Sequence, residues 1–203
     1  MRTEAVIFDI GGVLELTPPT GWQERWAARL DLDEGEFEAR LEPVFAAGSV
    51  GRMSLPEVEA GIGHALELAS HDVQALMDDI WAEYLGSLNE ELANYLKRLR
   101  PRYRTGILSN SFVGAREREE QRYGFGEMCD VVVYSHEEGL LKPDSRFYGI
   151  VCRRLGVPAD GCVFVDDTAA HVDGARAAGM KAVQFRDNDQ CLHDLERLLG
   201  DSI

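Results

Sequence analysis

The chain has 203 residues, 45% of them hydrophobic, which suits one domain or one core with a smaller inserted module. Its 36 acidic and 21 basic side chains give a net charge of −15, which argues against binding along nucleic acids and against anionic membrane surfaces. The N-terminal pattern is not that of a secretory signal, and no segment approaches the roughly 20 apolar residues of a membrane helix. The four cysteines are scattered without a C-x-x-C pair, so we expect reduced thiols in a cytoplasmic protein.

The first predicted element is a buried strand over residues 5–8, whose apolar run ends at Asp9. Residues 20–88 then show helical periodicity in four successive apolar stripes, which predict a bundle of four amphipathic helices without a strand. The stripes comprise Trp22, Trp26 and Leu30; Phe37, Leu41 and Phe45; Val58, Ile62 and Leu66; and Val73, Leu76, Met77, Ile80 and Tyr84.

After Leu88 short apolar runs alternate with helical patterns, which indicates a parallel sheet with helices on both faces. Helices are predicted over residues 89–100, 114–123, 144–155 and 169–178 and at the C-terminus, and strands over residues 105–109, 131–135, 162–166 and 181–185. The sequence therefore predicts an α/β fold. In this prediction, residues 1–17 and 89–203 form a Rossmann-like core with a parallel sheet, and residues 18–88 form an inserted helical bundle.

Polar residues follow three of the predicted strands. Asp9 ends the first, residues 109–110 (Ser-Asn) end the second, and residues 166–167 (Asp-Asp) end the fourth. Each could be a helix cap or a turn residue. Ligands of parallel sheets bind beyond the carboxyl ends of the strands, so we expect these residues to form one site. Converging carboxylates repel each other unless a cation lies among them, and a few hard oxygen ligands suit Mg²⁺.

Lys142 precedes the helix predicted over residues 144–155. At the same site its ammonium group would keep a nucleophilic carboxylate ionised and would attract an anion. Ser109 and nearby backbone N–H groups could then hydrogen-bond phosphate oxygens.

The whole chain resembles the haloacid dehalogenase-like (HAD) superfamily, in its phosphatase-type branch with a helical cap inserted between the first and second motifs. All four motifs occur in order. They are "VIFDIGGVL" with Asp9, "ILSNS" with Ser109, "SHEEGLLKPDSRFY" with Lys142, and "VFVDDTAAHVDGARAAGM" with its acid pair.

The resemblance implies covalent catalysis, in which Asp9 attacks phosphorus and the aspartyl-phosphate is then hydrolysed by water. It implies Mg²⁺ as cofactor and Asp9, Ser109 and Lys142 as catalytic residues. The implied metal ligands are Asp9, the main-chain carbonyl of Gly11 and Asp167, with Asp166 as a supporting acid; which of Asp166 and Asp167 binds the metal stays open. The predicted substrate-binding residues are Gly12, Asn110 and Arg52.

Gly11 departs from the pattern of the family, because most family phosphatases carry a second Asp two residues after the nucleophile. That residue protonates the leaving group and then activates water, and such catalysis contributes roughly 10²- to 10⁴-fold. Glu15, Asp166 or a cap residue could supply the proton instead. His171 stands where relatives often have Asn, and we interpret it as a helix-surface residue.

The predicted function is a Mg²⁺-dependent phosphomonoester hydrolase acting on a small phosphorylated metabolite, such as a sugar phosphate or a nucleotide. Gly11 favours one alternative, a non-catalytic phosphate-binding or partner-binding protein. A 2-haloacid dehalogenase is a further alternative. The sequence identifies neither the substrate, nor the pathway, nor the oligomeric state.

Overall fold

The computed structural model of the chain describes residues 2–200. The strands are β1 (Ala5–Phe8), β2 (Glu15–Leu16), β3 (Ser87–Leu88), β4 (Arg104–Ser109), β5 (Val131–Tyr134), β6 (Cys162–Asp166) and β7 (Lys181–Gln184). The helices are α1 (Trp22–Arg29), α2 (Glu34–Ser49), α3 (Leu55–Ala65), α4 (Ser70–Leu85), α5 (Glu90–Leu99), α6 (Ala115–Tyr123), α7 (Phe125–Met128), α8 (Ser135–Glu138), α9 (Ser145–Leu155), α10 (Ala169–Ala177) and α11 (Asn188–Leu199).

Five strands form one parallel sheet in the order β5-β4-β1-β6-β7. β1 lies at its centre, because its four residues are apolar and fully buried and can pack on both faces. In register, Ala5 lies opposite Arg104 of β4 and Cys162 of β6. This sheet confirms the predicted α/β fold, and the predicted strands agree with the observed ones to within one residue at each end.

Alternate residues of β1 face two separate hydrophobic clusters. Val6 and Phe8 belong to the cluster that includes residues of α5, α7 and α11, whereas Ala5 and Ile7 belong to the cluster that includes residues of α9 and α10. The period of two along a strand places successive side chains on opposite faces. Helices therefore cover both faces of the sheet and leave the carboxyl ends of its strands available for a site.

Helices α1–α4 have a third hydrophobic cluster of their own, built on the predicted stripes. Trp22, Phe37, Ile62 and Leu76 are among its buried members, and Phe112, from the segment after β4, packs with them. The start of α3 follows the expected capping pattern, because the Glu57 carboxylate accepts hydrogen bonds from the backbone N–H (2.8 Å) and hydroxyl (2.7 Å) of Ser54. The four helices are confirmed, while the division of the chain into core and cap stays a prediction.

The expectation of no strand within residues 20–88 is wrong. β3 pairs with β2 in an antiparallel ribbon, with Glu15 opposite Leu88. The ribbon joins the two ends of the α1–α4 segment where it leaves and re-enters the sheet region. Two residues per strand are too few to give a hydrophobic period, and their pairing depends on a partner about 70 residues away in sequence. Within residues 2–200 no helix has the length and apolarity needed to cross a membrane.

Candidate active site

Three adjacent strands bring polar residues to one edge of the sheet. Asp9 directly follows β1, Ser109 ends β4 and Asp166 ends β6, and β1 lies between β4 and β6. The backbone N–H of Asp9 donates to the carbonyl of Val165 at 2.8 Å, so pairing of the strands continues up to the acid. All three side chains belong to residues with little exposure, since Asp9 is 6% exposed, Ser109 2% and Asp166 0%.

Lys142 joins two of these acids. Its Nζ lies 2.7 Å from Oδ1 of Asp9 and 2.7 Å from Oδ2 of Asp166, and its side chain is fully buried. Asn110 fixes the backbone of Lys142 on both sides. Its amide nitrogen donates to the Lys142 carbonyl (3.1 Å) and its amide oxygen accepts from the Lys142 N–H (2.8 Å). A buried ammonium group shared by two carboxylates places fixed positive charge beside Asp9.

Both oxygens of Asp166 have partners in the protein. Oδ2 contacts Lys142, while Oδ1 accepts from the backbone N–H of Thr168 at 2.8 Å and lies 3.1 Å from Nδ1 of His171. Burial opposes ionisation of Asp166, but the hydrogen bond to His171 and the charge of Lys142 keep its pKa below the usual value. His171 is therefore a half-buried partner of Asp166, and its interpretation as a helix-surface residue is wrong.

At Asp9 the effect of burial on the pKa outweighs the effect of Lys142. Burial raises its pKa to about 7, which the nearby Lys142 ammonium only partly offsets, and the charge of Asp166 raises it further. Two carboxylates sharing one ammonium group carry an excess negative charge. A cation near Asp9 would lower its pKa and hold it ionised.

Asp167 lies against the loop that follows β1. A Cβ atom added to Gly12 would lie 2.7 Å from Cγ of Asp167, so the Asp167 carboxylate would have to move, and the φ of +73° at Gly12 favours glycine. Asp167 is exposed, and its carboxylate accepts one long hydrogen bond, from the Thr168 hydroxyl at 3.3 Å. Its oxygens thus retain lone pairs for a ligand, unlike those of Asp166.

A cavity of about 260 Å³, called the site cavity below, opens beside these residues. Gly11, Ser109 and Asn110 line one side of it, and residues of the α1–α4 segment line the other. Its complete lining is Gly11, Glu15, Thr17, Trp22, Ile80, Glu83, Tyr84, Ser109 and Asn110. Residues predicted to bind phosphate therefore share a cavity with side chains from the inserted helices.

Residues 3–179 match the family described as haloacid dehalogenase-like hydrolase. The chain belongs to this family. Over 193 residues the hydrolase is 29% identical to Phosphatase MT3486 of Mycobacterium tuberculosis, covering 90% of the chain and 87% of that protein. Over 222 residues it is 25% identical to bifunctional epoxide hydrolase 2 of Sus scrofa; this match covers 98% of the chain but 39% of that longer protein.

A solved structure shares the fold of the hydrolase. It is the HAD family enzyme bt-2542 from Bacteroides thetaiotaomicron, with a TM-score of 0.76, 18% identity, and coverage of 91% of this chain and 94% of that one. That enzyme was crystallised in complex with magnesium and inorganic phosphate.

Two further acids of the hydrolase are buried near the site. Glu15, whose backbone pairs with Gly11, is 1% exposed, and burial together with the charge of Glu119 raises its pKa to about 9. Burial likewise raises the pKa of Glu119 to about 7, although the hydroxyl of Tyr134 donates to it. Among the described residues, neither Oε1 of Glu15 nor Oε1 of Glu119 has a hydrogen-bond partner. Glu119 carried no sequence signal, because it lies in a strongly charged helix whose pattern is that of a solvated surface.

Arg52 is the one predicted substrate-binding residue that comes from the α1–α4 segment. It is exposed in the turn between α2 and α3, and it does not line the site cavity. The neighbouring Gly51 packs so closely on the carbonyl of His136 that a Cβ there would collide with it. The structure thus brings Asp9, Gly11 and Ser109 to one edge of the sheet together with Lys142 and the acid pair, whereas the role of Arg52 in substrate binding stays a prediction.

Proposed function

We propose that the hydrolase is a Mg²⁺-dependent phosphomonoesterase that acts on a small phosphorylated metabolite through an aspartyl-phosphate on Asp9. The observation that carries the proposal is the position of the Lys142 ammonium, 2.7 Å from a carboxylate oxygen of both Asp9 and Asp166. Positive charge fixed beside a buried carboxylate favours its ionised, nucleophilic form and attracts an anionic substrate. The relationship to Phosphatase MT3486 supports phosphate chemistry.

In the proposed reaction an Asp9 carboxylate oxygen attacks phosphorus, and the bond from phosphorus to the ester oxygen breaks. The departing alkoxide takes up one proton from solvent. Water then attacks phosphorus and gives one proton back to solvent, and the bond from phosphorus to the Asp9 oxygen breaks, which releases inorganic phosphate and restores the Asp9 carboxylate. Lys142 offsets part of the negative charge of Asp9 and Asp166, and the Ser109 hydroxyl and the N–H groups near Gly12 and Asn110 hydrogen-bond the phosphoryl oxygens.

The donor set fits Mg²⁺, which prefers a few hard oxygen ligands and retains several waters. Asp9, the Gly11 carbonyl and Asp167 would hold it, since the carboxylate of Asp167 is exposed and nearly without partners. Asp166 would support the site through Lys142 and His171. A cluster of Asp9, Asp166 and His171, with ligand atoms within 4.8 Å of one another, is an alternative set, but the Lys142 ammonium already occupies the space between its acids. Magnesium, when bound, neutralises charge on the transferring phosphoryl group.

We further propose that residues 18–88 act as a cap over the site. Trp22, Ile80 and Tyr84, from α1 and α4, line the site cavity opposite Ser109. Side chains in this position contact the organic part of a substrate and exclude water from the reacting phosphate. The four free cysteines support a reducing, cytoplasmic location.

The test is hydrolysis of p-nitrophenyl phosphate by the purified protein in Mg²⁺ and in excess chelator. We expect activity that requires the metal and disappears in Asp9→Asn. Asp160→Asn is the matched control, because Asp160 is exposed and precedes β6 at the opposite end of the sheet. Full activity of Asp9→Asn, with deamidation excluded by mass spectrometry, would contradict covalent catalysis. Equal rates in chelator and in Mg²⁺ would contradict the role of the metal.

Gly11 gives the non-catalytic alternative its one supporting observation, since no carboxyl occupies the position of the usual acid. The same assay distinguishes the phosphatase from the non-catalytic binding protein. Tight binding of inorganic phosphate without turnover of any phosphomonoester would favour the binding protein.

A further inference from the structure

A second cavity of about 410 Å³, called the aromatic cavity below, lies beside the site cavity. The two share Ile80, Tyr84 and Asn110 as lining residues, so they are adjacent. The aromatic cavity lies where α2 and α4 meet the segment after β4. Its complete lining is Phe45, Ala46, Ser49, Ile80, Trp81, Tyr84, Asn110, Ser111, Phe112 and Leu141.

Four of the ten residues that line the aromatic cavity are aromatic, and their rings pack against one another. Phe45 and Phe112 pack edge to face with centroids 5.7 Å apart, and Trp81 packs edge to face on Tyr84 at 5.3 Å and on Phe112 at 6.1 Å. α2 approaches Phe112 closely, because a Cβ added to Gly48 would lie 2.8 Å from Cζ of that ring. Rings that pack in this way form a fixed apolar surface that can bind an apolar group without reorganising.

The two cavities offer no positive charge to a second anion. Among the described residues that line them, none is Lys, Arg or His; the carboxyls are Glu83 and Glu15, and burial raises the pKa of Glu15 to about 9, so that it stays protonated near neutral pH. Lys142 is fully buried and already shared by two carboxylates. Arg118 stacks on Trp81, 4.1 Å from the ring centroid, but it donates to the Gly114 carbonyl and lines neither cavity. A second phosphate or a carboxylate there would be desolvated without a counter-ion, which is costly.

We infer that the substrate is a monophosphate ester of an uncharged, largely apolar alcohol, whose hydrocarbon or aryl part occupies the aromatic cavity. The inference rests on the proposed phosphatase function and goes beyond it by excluding bisphosphates, sugar acids and other substrates with a second anionic group. The phosphate lies at Asp9, and the organic part extends past Tyr84 and Ile80 toward Phe112.

The first experiment compares kcat/KM for butyl, hexyl and octyl phosphate with that for 6-phosphooxyhexanoate and glucose 6-phosphate. The alkyl esters have the same leaving-group chemistry, so differences among them report binding of the chain. We expect kcat/KM to rise about 3-fold or more for each added methylene until the cavity is filled. The terminal carboxylate should lower it at least about 100-fold relative to hexyl phosphate. A flat series, or a preference for the carboxylate or the sugar, would overturn the inference.

The second experiment introduces a positive charge into the wall of the aromatic cavity. Ala46 is exposed on α2 and lines the aromatic cavity, so its replacement need not disturb the helix. We expect Ala46→Lys to raise kcat/KM for 6-phosphooxyhexanoate about 10-fold or more and to lower it for hexyl phosphate. Ala46→Gln is the matched control, because its side chain is long and polar but uncharged, and it should give no such rise. An equal rise in kcat/KM for 6-phosphooxyhexanoate in the two variants would show that charge does not decide which substrate binds, and would overturn this part of the inference.

Failure of this inference and failure of the proposed function give different results. Hydrolysis of p-nitrophenyl phosphate with a flat alkyl series would overturn the substrate class and leave the phosphatase intact. If no phosphomonoester is hydrolysed, calorimetric binding of hexylphosphonate and 6-phosphonohexanoate in Mg²⁺ still tests the cavity. Tighter binding of hexylphosphonate by at least about 10-fold would support the apolar site, and equal binding would overturn it.

Discussion

Replacing Gly11 by Asp tests whether the hydrolase lacks a proton donor for its leaving group. The structure tolerates the change, since no atom lies within 4 Å of a Cβ added at Gly11 and its φ lies outside the left-handed region. The new carboxyl would lie two residues from Asp9, near the buried Glu15. Neighbouring acids raise the pKa of such a group, which suits a residue that must donate a proton near neutral pH.

The expected gain depends on the leaving group. A well-positioned acid raises the reaction rate by roughly 10²-fold at least, which corresponds to lowering the activation free energy by about 2.7 kcal/mol. Nitrophenolate leaves readily without a proton, whereas an alkoxide does not. We therefore expect Gly11→Asp to accelerate alkyl phosphates by up to about 10²-fold and p-nitrophenyl phosphate by a few-fold at most.

The assay is a series of aryl and alkyl phosphates measured on the unmodified protein and the variant, with folding checked by thermal denaturation. Gly11→Asn is the matched control, because it has the same shape but no ionisable proton. Gly12→Asp is a second control and should lose activity on all substrates, since a side chain there strains the backbone at a φ of +73° and displaces the Asp167 carboxylate. An equal gain from Gly11→Asn, or a flat leaving-group dependence in the unmodified protein, would refute the reasoning and direct attention to Glu15.

Three further predictions follow from buried charges and from the inserted helices. Lys142→Met should abolish turnover and lower the free energy of unfolding by about 3–5 kcal/mol, measured in urea, because Asp9 and Asp166 lose their shared cation; unchanged stability would contradict a structural role for this ion pair. Glu119 keeps its proton longer in the folded state than in the unfolded state, so its contribution to stability falls as pH rises from about 4.5 toward 7. Glu119→Gln should therefore raise the free energy of unfolding by about 1–3 kcal/mol at pH 8 and by less at pH 5, and a gain independent of pH would contradict this. Replacing residues 18–88 by a short linker should reduce the discrimination between octyl and butyl phosphate if the remaining core folds, and retained discrimination would contradict the cap.

Much of the fold could be predicted because the buried strands have strong local signals. β1 and β6 are short apolar runs that end at acids, and α5 and α9 carry apolar residues on one face. Their bounds differ from the prediction by one residue or none. The short helices α7 and α8 were not predicted, because four residues are too few to give a helical period.

The candidate site was predicted in part, because its members follow strands whose ends meet. Asp9, Ser109 and Lys142 came from motifs; the sheet order explains why Asp9 and Ser109 meet, and Lys142 joins them from the loop before α9. Arg52 was predicted to bind substrate from the loop between the second and third inserted helices; it is exposed in that turn, and its role stays a prediction. The sequence hints at the role of His171 only through its position five residues after Asp166. Its contact with Asp166 depends on the direction that α10 takes after β6.

The sequence by itself determined the longer helices, the strands of the parallel sheet and the family, because these depend on local periodicity and on motifs within short segments. The tertiary structure decided what residues from distant segments do together. It leaves the oxygens of Asp167 available while those of Asp166 are bound, and it buries Glu119 within a charged helix. It also brings Tyr84 and Phe112 into one apolar cavity. Burial and the absence of a counter-ion are properties of the packed chain, so no local pattern encodes them.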